Sequence, residues 1–248
     1  MLTRTEGIVL KTKEYTEADL IVTYLTPSKG IVNTFAKSPR KAKSRFGSSL
    51  EPLTHAKISL WGKEQSMPKI TQSDILNSFH EIRENLQDFA KTSKLVEILI
   101  SLIPAGIPNK KFFLFFLNIM STLKSCALKQ KDALYLISQI HLLAVLGYAP
   151  RLTGCGRCNA KSLDFYADSG TTLCKKCAAT QLGANKIPIK IAVRTVSFYS
   201  HCIKWPIHAS TRLRPSRETI SELSALLDEH LNHLLNKRLL TSEFLAKV

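Results

Sequence analysis

Two Cys-x-x-Cys pairs, Cys155-Gly-Arg-Cys158 and Cys174-Lys-Lys-Cys177, constrain this chain more than any other feature. Fifteen residues separate them, the spacing of a four-thiolate zinc site. A two-residue gap lets both sulfurs of a pair turn toward one ion, and a short hairpin brings the second pair back to complete a tetrahedron. Four protein ligands leave no open position for water, so one Zn²⁺ held by Cys155, Cys158, Cys174 and Cys177 is structural rather than catalytic. Redox dithiols and paired disulfides fit less well. Met1-Leu-Thr-Arg4 leads straight into a polar, strand-like segment without the look of a secretory signal, and a cytosolic chain keeps its thiols reduced.

The residues between the pairs fit that hairpin. Asp164-Phe-Tyr166 and Thr171-Thr-Leu173 read as strands around a Ser169-Gly170 turn. Four thiolates on Zn²⁺ leave two negative charges, which Arg151, Arg157, Lys175 and Lys176 are placed to offset. Cys126 and Cys202 lie outside the motif and read as small apolar residues.

The charge balance adds a partner. The net charge is +16, and residues 1–80, 81–150, 151–180 and 181–248 are each net positive. A dispersed excess of this size points to a polyanion, nucleic acid or an acidic membrane surface, rather than to one basic tail. A membrane span is not expected. The most apolar run, Phe112 to Met120, is bounded by Lys110, Lys111 and Lys124 and is far shorter than the ~20 residues a span needs.

Residues 1–78 are expected to form one domain, rich in β-branched residues at strand spacing: 6–13, 19–26, 31–35, 53–61 and 67–76. Five short strands suggest a small closed barrel, with an OB-fold and an SH3-like barrel as the two options from pattern. From residue 79 to 248 the period is helical. Helices are expected from 79 through Leu102, over 110–128, over 132–147 with Gly147 as terminator, over 191–203, and over 217–235 with Ser216 as cap. The zinc element, 151–180, is inserted among them. The expected fold class is thus α+β and multidomain: an N-terminal barrel, then an α-helical domain carrying a four-cysteine zinc ribbon.

After the third strand comes Lys37-Ser-Pro-Arg40-Lys41-Ala-Lys43-Ser-Arg45-Phe46-Gly47. A loop this basic, projecting from a barrel, suits phosphate contact, with aromatic side chains to stack on bases. The nucleic-acid contacts expected here are Lys37, Arg40, Lys41, Lys43, Arg45 and Phe46. Phe35 and Trp61 are further aromatics, for which core packing is the expectation. No Gly-x-x-x-x-Gly-Lys-[Ser/Thr] loop and no His-Glu-x-x-His motif is present, so neither an ATPase nor a zinc hydrolase is indicated. His230 and His233 share a helix face but have no obvious third ligand; they read as two partly exposed helix histidines.

Several segments together resemble the bacterial recombination mediator RecO family: Glu6-Gly-Ile-Val-Leu10, Tyr15-Thr-Glu-Ala-Asp-Leu20, Leu25-Thr-Pro-Ser-Lys-Gly30, Arg40 to Gly47, Gly147-Tyr-Ala-Pro150, both cysteine pairs, and Lys237-Arg-Leu-Leu-Thr-Ser242. The resemblance covers nearly the whole chain. It implies an N-terminal OB-fold, a helical domain with a zinc ribbon, and a non-enzymatic cytoplasmic DNA-repair protein of the RecF pathway, nucleoid-associated during repair. It implies binding of single- and double-stranded DNA, annealing of complementary strands without ATP, and partnership with RecR. It also implies binding to the C-terminal tail of single-stranded DNA-binding protein and help in loading RecA. Charge and barrel alone fit a second option equally, an RNA- or ribosome-binding zinc protein.

Overall fold

The computed structural model describes residues 1–39, 44–63, 66–182 and 187–247. It divides into two compact units: Met1–Phe89 with Ile100–Ser125, and Ala90–Leu99 with Cys126–Val248. By this division residues 79–89 and 100–125 fall in the same unit as the barrel strands.

In the first unit, β1 (Leu2–Glu14), β2 (Leu20–Thr26), β3 (Gly30–Ala36), β4 (His55–Trp61) and β5 (Lys69–Asn77) close a barrel in the order β1-β2-β3-β5-β4. Every pairing is antiparallel except β3–β5, which meets in parallel at Phe35 and Lys69. One strand serves two neighbours: the first half of β1 pairs with β4 and the second with β2, with the register shifting between Val9 and Lys11. Gly7 permits the inside of that strand to pack closely, since a Cβ there would lie 2.8 Å from Cδ1 of Tyr24. Val9, Val22, Tyr24, Ala36, Ile58 and Ile70 fill the interior.

Helices α1 (His80–Glu84) and α3 (Lys110–Ser125) belong to the same unit. The helix expected from residue 79 onward is broken. Asn85 is extended, with φ −100° and ψ 118°, and its Oδ1 accepts from the Asp88 N–H at 3.0 Å, starting α2 (Leu86–Leu102) afresh. Arg83 fastens this corner by donating to the carbonyls of Pro52 and Ser78 and pairing with Glu51 at 2.7 Å.

The second unit is built on α4 (Lys131–Leu146), which is buried continuously from Leu134 to Leu143. Gly147 terminates it at φ 83°. The four-cysteine segment follows: β6 (Asp164–Tyr166), β7 (Thr171–Thr172), α5 (Lys175–Leu182) and β8 (Ile189–Lys190), with sheet order β7-β6-β8. Then come α6 (Val193–Lys204), α7 (Ile207–Ser210), α8 (Arg217–Leu235) and α9 (Leu240–Leu245). Helices α6, α7 and α8 all pack on α4. Ser216 caps α8 as expected, its Oγ accepting from the Thr219 N–H at 3.3 Å. Among the described residues no helix is long and apolar enough to cross a membrane.

Candidate metal centre and nucleic-acid interface

Cys155, Cys158, Cys174 and Cys177 converge, with all four Sγ atoms within 4.8 Å of one another. The Cys158 and Cys174 sulfurs are 3.6 Å apart. A tetrahedral Zn²⁺ with Zn–S bonds of ~2.3 Å needs sulfurs about 3.8 Å apart, so the donor set and its spacing fit a four-thiolate ion. Among the described residues no other His, Cys, Asp and Glu group is arranged to hold a metal.

The local fold explains the convergence. In the first knuckle the Asn159 N–H donates to the Cys155 carbonyl at 2.9 Å, and the Cys155 N–H to Ala160 at 2.7 Å. Gly156 lets this knuckle lie against β7, because a Cβ there would come within 2.6 Å of Thr171 Oγ1. Two further bonds hold it: Gly156 N–H to the Thr172 carbonyl at 2.8 Å, and Thr172 Oγ1 to the Gly154 carbonyl at 2.6 Å. Cys174 stands just before α5 and Cys177 inside its first turn, so the second pair is set by a helix start rather than by a strand.

Backbone N–H groups polarise the cluster. Those of Cys158, Cys174 and Arg157 point at the Cys155 sulfur and push its thiol down to about 6. Cys174 is also lowered, chiefly by the Cys177 N–H. Cys177 goes the other way, to about 12, because its sulfur lies against that of Cys174. Four sulfurs this close cannot all carry charge on their own; a bound cation lets them do so. Arg157, Lys175 and Lys176 are exposed nearby in sequence, while Arg151 is engaged with Asn159 at 2.9 Å. Cys202 is fully buried and its thiol is raised to about 12 by burial, in keeping with a small core residue.

Of the two helix histidines, expected to be partly exposed, His233 is so and His230 is not. His230 is buried and donates from Nε2 to the Tyr148 carbonyl at 2.9 Å, with its ring edge-on to Phe165. His233 lies between Asp168 Oδ1 at 3.1 Å and Glu229 Oε1 at 3.2 Å. His230 is thus part of the packing under the cysteine hairpin, which the three-residue spacing did not reveal.

The basic loop is described at its two ends. Lys37 is exposed just past β3, and the next residue is pinned by its N–H to Asp19 Oδ1 at 2.7 Å. Arg45 is exposed, its guanidinium 5.1 Å from the centre of the Phe46 ring. Arg40, Lys41 and Lys43 lie outside the described residues. Phe46 requires a correction. It is 4% exposed and belongs to the barrel core with Leu50 and Ile58, so its ring has no face free for a base. The short 3-10 turn Gly47–Leu50 starts directly after it and carries the ring inward. The opposite error concerns Trp61, expected in the core but 60% exposed. The strand's own alternation carried the signal: Lys57, Ser59 and Trp61 share a phase, opposite Ala56, Ile58 and Leu60.

The chain is thus a strongly basic α+β protein, with a closed five-stranded barrel in one unit and helices with a four-cysteine knuckle pair in the other. Two family profiles make it specific: "Recombination protein O N terminal" matches residues 1–79 and "Recombination protein O C terminal" residues 83–243. A protein named "DNA repair protein RecO" from Thermodesulfovibrio yellowstonii is 40% identical over 229 residues, covering 92% of this chain and 91% of that one. Another of that name, from Dehalococcoides mccartyi strain CBDB1, is 30% identical, covering 94% and 91%. One from Desulforamulus reducens is 27% identical, covering 98% and 93%. The chain belongs to the RecO family, whose members carry a DNA repair and recombination role.

Proposed function

We propose that this chain is a non-enzymatic DNA-repair mediator that binds single- and double-stranded DNA and anneals complementary strands without ATP. The observation that carries this is the family match along the whole chain, combined with its +16 charge. The barrel order β1-β2-β3-β5-β4 supports reading it as an OB-fold, a frame on which loops and one sheet face grip a single strand. Lys37, Arg40, Lys41, Lys43 and Arg45 are the phosphate contacts proposed for that loop. Phe46 is left out of the set and supports the loop from the core.

Annealing needs no chemistry. Dispersed Lys and Arg hold two strands at once and raise their effective concentration. Contacts mainly to phosphate make binding indifferent to sequence and steeply salt-dependent. In the same proposal RecR, the tail of single-stranded DNA-binding protein and RecA loading are carried over from the family.

We assign one Zn²⁺ to Cys155, Cys158, Cys174 and Cys177. Its contribution when bound is a tetrahedral cross-link. The chain's own residues do the rest: the two knuckles orient the sulfurs, and Phe165 and His230 seat the hairpin on α8. The proposal is tested by annealing of complementary oligonucleotides without nucleotide. Faster annealing than in the protein's absence is expected; a protein that neither binds single strands at low salt nor accelerates annealing overturns it.

A further inference from the structure

Trp61 is the outward-facing last residue of β4, with 60% of its surface in solvent. Its register partners are Leu2 on β1 and Lys69 on β5. Lys69 is in turn the partner of Phe35 on β3. The same row of the barrel wall therefore carries Phe35, Lys69, Trp61 and Leu2 across four adjacent strands. Neighbouring strands lie ~4.8 Å apart, so the two aromatics stand roughly 10 Å apart with a cation between them. Phe35 is half-buried and holds Tyr15, itself 63% exposed, edge-on at 5.8 Å.

An exposed tryptophan on a barrel wall costs solubility and adds nothing to the core. The charge around it says what covers it. Lys69 lies in the same row as Trp61, and Arg4 lies in the next outward row. Arg4, exposed one outward position along from Leu2, pairs in register with Ser59, the outward residue before Trp61. In the described register the carboxylates Glu6 and Asp74 flank Lys57, two outward positions back along β4, while Arg4 and Lys69 stand nearer Trp61. A flat π-face beside those two cations matches single-stranded nucleic acid, whose bases stack while its phosphates pair with the cations. One cation between two aromatics along one row suits stacked bases with a phosphate between them better than it suits an apolar protein or lipid surface.

We infer that Trp61 is a base-stacking platform for single-stranded nucleic acid, with Lys69 as its phosphate contact and the Tyr15–Phe35 pair as the continuation of the track. This rests on the nucleic-acid reading above and adds a wall of the barrel that the basic loop does not include.

The test uses the full chain, an oligo(dT) probe and two kinds of variant. In Trp205→Phe protein Trp61 is the sole tryptophan, and its emission should quench saturably on adding oligo(dT). Trp61→Ala should weaken oligo(dT) binding about tenfold, the scale of one lost stacked base, with Trp61→Phe recovering most of it. The salt slope should stay unchanged, since no phosphate contact is removed. Melting temperatures of all variants should match the parent's, because the side chain is exposed. If oligo(dT) binds while Trp61→Ala is silent and the emission does not change, the platform is overturned and DNA binding stands. If the parent binds no oligo(dT) at low salt, the broader reading falls with it. If Trp61 emission instead follows protein concentration, with a dimer lost in Trp61→Ala, the face belongs to a second copy and the inference is wrong.

Discussion

Replacing Phe46 by Ala separates a core role from a surface role at one position. Phe46 is 4% exposed and packs with Leu50 and Ile58 inside the barrel. Burying a phenylalanine removes ~150–250 Å² from water, worth about 4–6 kcal/mol at ~25 cal/mol per Å². Core Phe→Ala changes cost roughly 3–5 kcal/mol, so about 4 kcal/mol is expected here. That is a large part of the ~5–15 kcal/mol that holds a domain folded, and it lowers the melting temperature by roughly 15 °C. Circular dichroism melts of Phe46→Ala and Trp61→Ala, run together, give the contrast, since an exposed position should change stability by only about 0.5 kcal/mol. The reasoning is refuted if Phe46→Ala melts like the parent and loses affinity for single strands: the ring would then be a surface group.

The other predictions address the second unit. Elemental analysis of protein purified under reducing conditions should find one zinc per chain, and Cys155→Ser should abolish it and expose the hairpin to protease; metal-free protein with an intact hairpin would refute the assignment. Burial lowers both His141 and His230, so the unfolded chain binds more protons than the folded one below the ordinary histidine value. Their contribution is complete above about pH 6.5 and is lost as pH falls below it toward their depressed folded values. The urea midpoint should drop across that window, and His230→Gln should flatten the drop. Glu97 accepts from the N–H groups of Leu240 and Thr241 at 3.0 Å each, capping α9. Glu97→Ala should cost about 1–2 kcal/mol and speed cleavage near the C-terminus in limited proteolysis; an unchanged cleavage rate would show that α9 is held otherwise.

The convergence of the four cysteines was legible because each pair is closed by a two-residue gap, a local constraint that needs no knowledge of the fold. The strands and Gly147 were legible for the same reason: period and cap are written within a few residues. Most of what escaped was set by distant neighbours. Phe46 looks like a loop residue until the strands of the barrel close over it. The break at Asn85 is a side-chain cap competing with an otherwise continuous helical period. His230 is buried because Tyr148 and Phe165 fold back onto it, from 82 residues away in the first case. The packing of 100–125 with the barrel depends on contacts such as Gly106 N–H to the Ile31 carbonyl at 2.9 Å, which no local pattern encodes. Trp61 was misread although its signal is local: the alternation of β4 puts it in phase with Lys57 and Ser59, and that phase outranks its hydrophobicity.

The central claim is that this protein grips DNA through phosphate, in part by the loop that holds Arg40, Lys41 and Lys43. Fluorescence anisotropy of labelled single strands of unrelated sequence, over a salt series, tests it most directly. The account predicts equal affinity for each sequence and a linear fall of log K with log salt at a slope of about −0.7 per phosphate contact. Changing Arg40, Lys41 and Lys43 to Ala should make that slope shallower on every sequence. Binding that ignores salt, or a slope the triple change leaves untouched, would contradict it.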